Sequence, residues 1–306
     1  MAPSGQRPVV VVVGDVIVDV VVRPLGPFNR GSDTPSRIVV TPGGSASNQA
    51  VALAGAGAQV HLVGVVGDDE LGAAATRALA ATGVETHIRV VPGEQTGVVV
   101  ALVDASGQRS MLTDRGANLH LDERDLGPGL LAAGRHLHLS GYELLDEATR
   151  PAARAAFDLA AAAGMTRSVD PCSAGPLAAV GGAEFLAWTE GAEWCCANLD
   201  EGRALTGARR PEEVLAGLRR HYREVAVTLG AQGALFSGPG TELLHCPADR
   251  LAVVDTTGAG DAFTGTFLAG RLRGEGPAEA VPAALAAAAR VVVAPGARPW
   301  ARPPGS

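Results

Sequence analysis

Short apolar runs recur near residues 9–13, 60–66, 136–140, 166–170, 193–197 and 225–229, with alanine-rich stretches of helical length between them. No other feature constrains the fold as much. Strand and helix in strict alternation predict an α/β fold, a doubly wound and mostly parallel sheet flanked by helices. Two regions break the alternation. Residues 17–41 carry alternating apolar residues around a turn rich in Pro, Gly and Asn (Pro24 to Pro35), and residues 84–115 hold Ile88 to Val91, then Gly97 to Val103 and a turn at Asp104-Ala105-Ser106-Gly107. Both read as β-ribbons outside the βα units. Nothing in the sequence marks a linker or a repeat, so a single domain over 1–306 is expected, with a loosely ordered proline-rich tail from Arg298 to Ser306.

Near the C-terminus, Asp255-Thr256-Thr257-Gly258-Ala259-Gly260-Asp261 joins an apolar strand, Leu251 to Val254, to a helical run, Ala262 to Arg273. Backbone N–H groups at a helix N-terminus lack intrahelical partners and sit at the positive end of the macrodipole, so the turn suits an anion. Glycines at 258 and 260 let phosphate oxygens approach without a Cβ in the way. Asp261 then faces whatever the anion touches, which suits a group that handles a proton. Alone, the same string also fits a tight strand-to-helix turn whose acid answers the dipole.

The string resembles the C-terminal signature of the ribokinase-type (PfkB) family of sugar and nucleoside kinases. There the last Asp is the catalytic base and the Gly-Ala-Gly turn the anion hole, which implies those roles for Asp261 and for Gly258, Ala259 and Gly260. Four further segments agree. Gly43-Gly44-Ser45-Ala46-Ser47-Asn48-Gln49-Ala50 is similar to the family's Gly-Gly-x-x-x-Asn substrate segment, and Asp68-Asp69-Glu70-Leu71-Gly72 follows in the family's style. Gly14-Asp15-Val16-Ile17-Val18-Asp19 matches the first strand, whose last Asp binds sugar hydroxyls; Asp15 carries no assigned role. Asn198-Leu199-Asp200-Glu201 resembles the Asn-x-x-Glu motif linked to magnesium and phosphate. Thr228-Leu229-Gly230-Ala231-Gln232-Gly233 is like the nucleotide-side Thr-Leu-Gly-x-x-Gly, which places Thr228, Gly230 and Gly233 at the nucleotide.

The residue chemistry fits these roles. A carboxylate at Asp19 accepts two vicinal hydroxyls, the Asn48 amide donates and accepts, and Gly43 and Gly44 leave room for a ring. Asn198 and Glu201 sit three apart at the start of a predicted helix, so they act on magnesium through water or simply complete a capping box. Glu143, just past a predicted strand in Ser140-Gly141-Tyr142-Glu143, lies at a carboxyl end and is placed as a further substrate contact. Asp255 and Thr257 offer oxygens to a potassium-like monovalent cation, as in several members of the family, with Ala294-Pro295-Gly296-Ala297 completing that site. His136 and His138 share one face of a strand without an evident third ligand, so packing or hydrogen bonding is expected there rather than metal. Cys195 and Cys196 point to opposite faces and are explained by burial. Arg109 and Arg115 on the ribbon either meet an anionic substrate group or stay solvated, the second being expected.

Composition excludes several classes. A net charge of −7 argues against nucleic-acid binding. The sequence contains no lysine, since all 25 basic residues are arginine. That rules out a Walker A lysine, a protein-kinase strand lysine and any Schiff-base mechanism on lysine. The glycines near residue 258 also lack the Gly-x-Gly-x-x-Gly spacing of a dinucleotide oxidoreductase. No uncharged apolar run approaches the roughly 18 residues of a membrane span, and the four cysteines show no zinc spacing, so reduced thiols in the cytoplasm are expected.

The resemblance therefore implies phosphorylation of a primary hydroxyl of a sugar or sugar-like molecule with ATP and Mg2+. A nucleoside is the alternative acceptor. A catalytically silent sugar-binding regulator is the alternative of another class, opposed by the intact Asp261. The ribbons would form a lid. Their alternating residues (Val18, Val20, Val22; Val98, Val100, Leu102) would leave an apolar sheet face open, so lids from two subunits are expected to pair in a homodimer.

Overall fold

A computed structural model of the protein describes residues 7–104, 109–127, 129–133, 135–252 and 255–293, the side chains of 109, 132 and 133 excepted. Among the described residues thirteen strands form two sheets. The larger sheet contains β1 (Val9–Val13), β4 (Gln59–Gly67), β5 (Glu85–Val91), β8 (His136–Ser140), β9 (Thr166–Asp170), β10 (Trp194–Asn198), β11 (Glu224–Thr228), β12 (Ala234–Gly238) and β13 (Thr241–Cys246). Its order is β13-β12-β11-β10-β9-β8-β1-β4-β5. All neighbours from β11 to β5 run parallel, and β12 and β13 add an antiparallel margin. The smaller sheet, in the order β3-β2-β6-β7, holds β2 (Ile17–Pro24), β3 (Ser36–Gly43), β6 (Thr96–Val103) and β7 (Arg109–Gly116).

Unbroken apolar strands are explained by burial on both faces. Val11, Val13, Val63, Val65, Cys195 and Val225 belong to one core cluster, whereas Val10, Val12, Leu62, Val66, Cys196 and Ala226 belong to the cluster across the sheet. Within the second cluster, the helix Ser45–Gly55 lies against the helix Ala259–Arg273. Their closest approach is at Gly265, where a Cβ would come within 2.6 Å of both the Gln49 carbonyl oxygen and the Ala52 Cβ. This contact sets the spacing between the two helices that carry Asn48 and Asp261.

Three expectations change. Residues 85–91 are not part of the smaller sheet but pair in parallel with β4 as an edge of the main sheet, because Ile88 packs on the main core and Arg89 is tied to Asp125. Leu251 and Ala252 are not in a strand, and residues 253–254, like the turn at 105–107 and the tail 298–306, lie outside the described residues. The hairpin β12–β13 had no counterpart among the expected βα units.

Gly265→Ala is expected to destabilise the protein by roughly 1–3 kcal/mol through overpacking, read as a fall of several degrees in a melting curve. An unchanged curve would mean that the helices separate at no cost.

Candidate active site

Functional side chains gather along the carboxyl edge of the parallel strands. Ser140, Asp170, Asn198 and Thr228 are the last residues of β8, β9, β10 and β11, and Asp15 follows β1. Open sheets bind ligands at this edge because the chain leaves it on either side of a switch in winding direction. The helix Ala259–Arg273 opens toward it. Gly258, its N-cap, has φ 75°, a left-handed conformation that favours glycine. The N–H groups of Gly258, Gly260 and Asp261 find no acceptor among the described residues, while that of Ala259 donates weakly to the Thr256 carbonyl at 3.3 Å. Such a terminus can hold an anion.

Asp261 is fixed from the other helix. Ser45 Oγ donates to Oδ1 at 2.7 Å, Asn48 Nδ2 to Oδ2 at 2.9 Å, and Gln49 Nε2 to Oδ1 at 3.1 Å. The Gln49 amide also donates to Asp170 Oδ2 at 2.9 Å, and that oxygen accepts a second bond from Thr264. Two carboxylates thus share one amide nitrogen, which orients the whole chain of bonds behind it. With Nε2 toward the acids, Gln49 Oε1 must accept from His138 Nε2 at 2.7 Å. His138 Nδ1 then accepts from Ser168, Ser168 Oγ accepts from His136 Nε2, and His136 Nδ1 accepts from Thr166. Both imidazoles are neutral and fully buried, and burial holds His138 down to about 3. The hydrogen bonding expected at this pair is present.

Burial, reinforced by the Asp170 charge, pushes Asp261 up to about 7, although Asn48 and Ser45 pull it down. Burial raises Asp170 as well. Asp261 is thereby poised near neutrality.

Three cavities converge on this point. The largest, of about 580 Å³, lies between the two sheets and is bounded by Asp19, Gly44, Asn48, Arg115, Tyr142 and Asp261. Gly43 stands behind Asp19, where any Cβ would come within 2.3 Å of the carboxylate carbon. A second, of about 490 Å³, is bounded by Thr228, Gly230, Gly233, Ala259 and Gly260, with apolar walls from Phe263, Leu285 and Val292. A third, of about 130 Å³, lies at Asp170, Asn198, Glu201, Thr228, Gly258 and Asp261. Asn198 and Glu201 do form a capping box: Glu201 accepts from the Asn198 N–H at 2.8 Å, and Asn198 Oδ1 accepts from the Glu201 N–H at 2.9 Å. The same two side chains border the small cavity, and burial raises the Glu201 carboxyl.

Several assignments need correction. Glu143 does not border the large cavity; it is buried behind Arg115, whose Nη2 donates to it at 2.8 Å. Arg115 is correspondingly not a solvated ribbon residue but part of the cavity wall, because that buried carboxylate holds it there. Arg109 has its side chain outside the described residues. Asp255 and Thr257 are together, yet the Thr257 N–H and hydroxyl both donate to Asp255 Oδ1, and Arg23 lies 3.6 Å from Oδ2. Donors and a guanidinium already meet this carboxylate, which does not suit a monovalent cation. The segment 294–297 expected to complete that site lies outside the described residues.

Ser45, Gln49, Asp170 and Cys172 were missed. Ser45 and Gln49 share a helix face with Asn48, so the helical period carried their signal. Asp170 ends an apolar strand, the position where ligand-binding residues collect. Cys172 borders two of the cavities with φ 70°, and its N–H donates to Asp170 at 2.9 Å; the sequence carries no signal for that.

A doubly wound sheet whose carboxyl edge brings two large cavities together at one helix terminus is the architecture of a small-molecule phosphotransferase. The chain belongs to the pfkB family of carbohydrate kinases, whose family model matches residues 8–302, and it is a kinase of that class. It is 32% identical over 260 residues to a 2-dehydro-3-deoxygluconokinase of Thermoproteus tenax, covering 81% of this chain and 78% of the relative. It is 34% identical over 229 residues to an ATP-dependent ribose-1-phosphate kinase of Halopiger xanaduensis, covering 74% and 72%. The crystal structure of an adenosine kinase from Sinorhizobium meliloti superposes with a TM-score of 0.87 over 97% of both chains at 28% identity. Among the described residues no helix is long and apolar enough to cross a membrane.

Because Asp261 has a higher pKa folded than its ordinary 3.8, the native state keeps a proton that the unfolded chain loses between about pH 4 and 7. Its stabilising contribution is present at low pH and is lost as pH rises through that window. Asp261→Asn is therefore expected to raise the melting temperature more at pH 8 than at pH 5. Equal shifts at both values would contradict the raised pKa.

Proposed function

We propose that the protein transfers the γ-phosphoryl group of ATP to a primary hydroxyl of a sugar or sugar-like small molecule, with Asp261 as general base. The observation that carries this reading is the position of Asp261: it borders both the cavity between the sheets and the small cavity, in the first turn of the helix whose free N–H groups face them. Asp261 takes the proton of the acceptor hydroxyl, and its pKa near neutrality matches that task. Ser45 and Asn48 hold its two oxygens in place. The N–H groups of Gly258 and Gly260 stabilise charge on the phosphoryl oxygens. Asp19, Gly44 and Asn48 grip the acceptor's other hydroxyls. Thr228, Gly230 and Gly233 line the nucleotide side, where the apolar walls suit a flat base. Magnesium, when bound, supplies charge neutralisation on the phosphates. Glu201 already accepts from Asn198, which suits contact with the ion through water rather than direct ligation.

Relatives named for a keto-deoxy sugar acid, a sugar phosphate and a nucleoside leave the acceptor class broad. The nucleoside reading is favoured by the structural match to an adenosine kinase. A panel of pentoses, hexoses, keto-deoxy acids and nucleosides with ATP and Mg2+, read by ADP release, separates the two. On the best acceptor, Asp261→Asn is expected to lower kcat by at least ~10² with ATP binding by calorimetry nearly unchanged. Asp19→Ala should raise the acceptor KM instead. In the wild type, kcat/KM should climb with pH and level off above about 7. Retention of more than about a tenth of kcat by Asp261→Asn would remove it as the base.

We also propose that the smaller sheet is a lid and that two lids pair in a homodimer. Val40, Val20, Val100 and Leu112 stand in one row across it by register, on the face opposite Asp19, Val99 and Thr113, which border the large cavity. Ile38, Val40 and Leu112 are about 60% exposed in the single chain, an apolar patch that calls for a cover. Light scattering should give about twice 30.9 kDa, and Val40→Glu should shift it toward one chain. A wild-type monomer that is active and soluble at micromolar concentration would refute the pairing.

A further inference from the structure

At the far end of the main sheet from the site described above, β4 and β5 bring His61, Glu85 and His87 together. His61 is opposite Glu85 in the parallel register and Val63 is opposite His87, so all three side chains share one face. His61 Nδ1 lies 3.1 Å from His87 Nε2, and Glu85 Oε1 lies 3.4 Å from each of these nitrogens. We propose that this triad is a binding site for a divalent transition-metal ion of the Zn2+ class. Bonds of about 2.0–2.1 Å to imidazole nitrogen and 2.0–2.2 Å to carboxylate oxygen at tetrahedral angles put ligand atoms about 3.3–3.5 Å apart. Two sides of the observed triangle, at 3.4 Å, have those dimensions before any side chain moves, and the third, at 3.1 Å, opens by a few tenths of an ångström.

The donor set agrees with the geometry. Two imidazoles and one carboxylate suit zinc, nickel, copper or cobalt rather than magnesium, which prefers oxygen alone. Without a metal, the two ring nitrogens at 3.1 Å share one proton, and Glu85 is too far from either for a good hydrogen bond. An ion at the centre takes the place of that hydrogen bond, the ring proton moving to the outer nitrogen of its own imidazole, and satisfies all three groups. His61 is buried against the sheet, whereas Glu85 is 57% exposed, so the fourth position opens to water. The triad is the one such cluster among the described residues. Because β5 is the outermost strand at that end, a bound ion pins the edge strand to its neighbour and stabilises the folded chain through linkage.

The test is Zn2+ titration of the full, untagged chain without nucleotide, by calorimetry and by competition with a chromophoric chelator, with Co2+ as spectroscopic probe. One equivalent is expected, together with the visible absorption of four-coordinate Co2+. His87→Ala should weaken binding by more than the roughly 10–100-fold that outer-shell partners of a metal are worth. Glu85→Gln, an exposed and isosteric change, is the second variant and should weaken it by about tenfold or more. Zn2+ should raise the melting temperature of the wild type more than that of either variant at the same concentration, while kinase activity of the metal-free variants matches wild type. Wild-type binding no tighter than ~100 µM, or binding in both variants as strong as in the wild type, would overturn the site and place any zinc elsewhere, such as at Cys246.

Discussion

One amide nitrogen, Gln49 Nε2, holds two carboxylates at once, and the catalytic half of the molecule is arranged around that bond pair. It reaches Asp170 at 2.9 Å and Asp261 at 3.1 Å. Without those donors, two acids this close in a poorly solvated cleft would repel each other. The bond also fixes the direction of every hydrogen bond behind it, through His138, Ser168 and His136 to Thr166. A fully satisfied polar chain in the core has one low-energy arrangement, so it rigidifies what it touches. Here it touches Asp261, the base we propose.

This arrangement sets stability against chemistry. A carboxyl kept near neutrality by burial and by a neighbouring acid suits the proton abstraction we propose, and the same burial makes its ionised form costly to the fold. The opposing support comes from packing. Helices Ser45–Gly55 and Ala259–Arg273 meet without a side chain at Gly265, which brings Ser45, Asn48 and Gln49 within bonding distance of Asp261. The smaller sheet supplies the other wall. Its strand β2 carries Asp19 into the cavity and Arg23 to Asp255, just before the turn at Gly258, while β7 carries Arg115 as its penultimate residue, anchored by the buried Glu143.

Much of this was legible in the residues. Continuous apolar runs announced strands buried on both faces, and two glycines followed by an acid announced the helix terminus that opens at Gly258. The alternation in 17–41 and 96–103 announced a second sheet. Where the reading failed, the local signal was shared by two structures. Residues 85–91 look like ribbon because edge strands of either sheet are half apolar and half polar. Glu143 looked like a ligand residue because it follows a strand end, and only the tertiary position of Arg115 turned it into a buried counter-ion.

The sequence by itself determined the strand and helix alternation, the family, and the segments that supply Asp19, Asn48, Asn198, Thr228 and Asp261, because each depends on spacing within a few residues. Tertiary structure alone decided that Gln49 bridges Asp170 and Asp261, that Arg115 faces the cavity with Glu143 behind it, and that His61, Glu85 and His87 converge. The Gln49–Asp261 and His61–His87 contacts join residues 212 and 26 positions apart. Charge balance between such groups depends on distance and burial, and neither is encoded in local spacing.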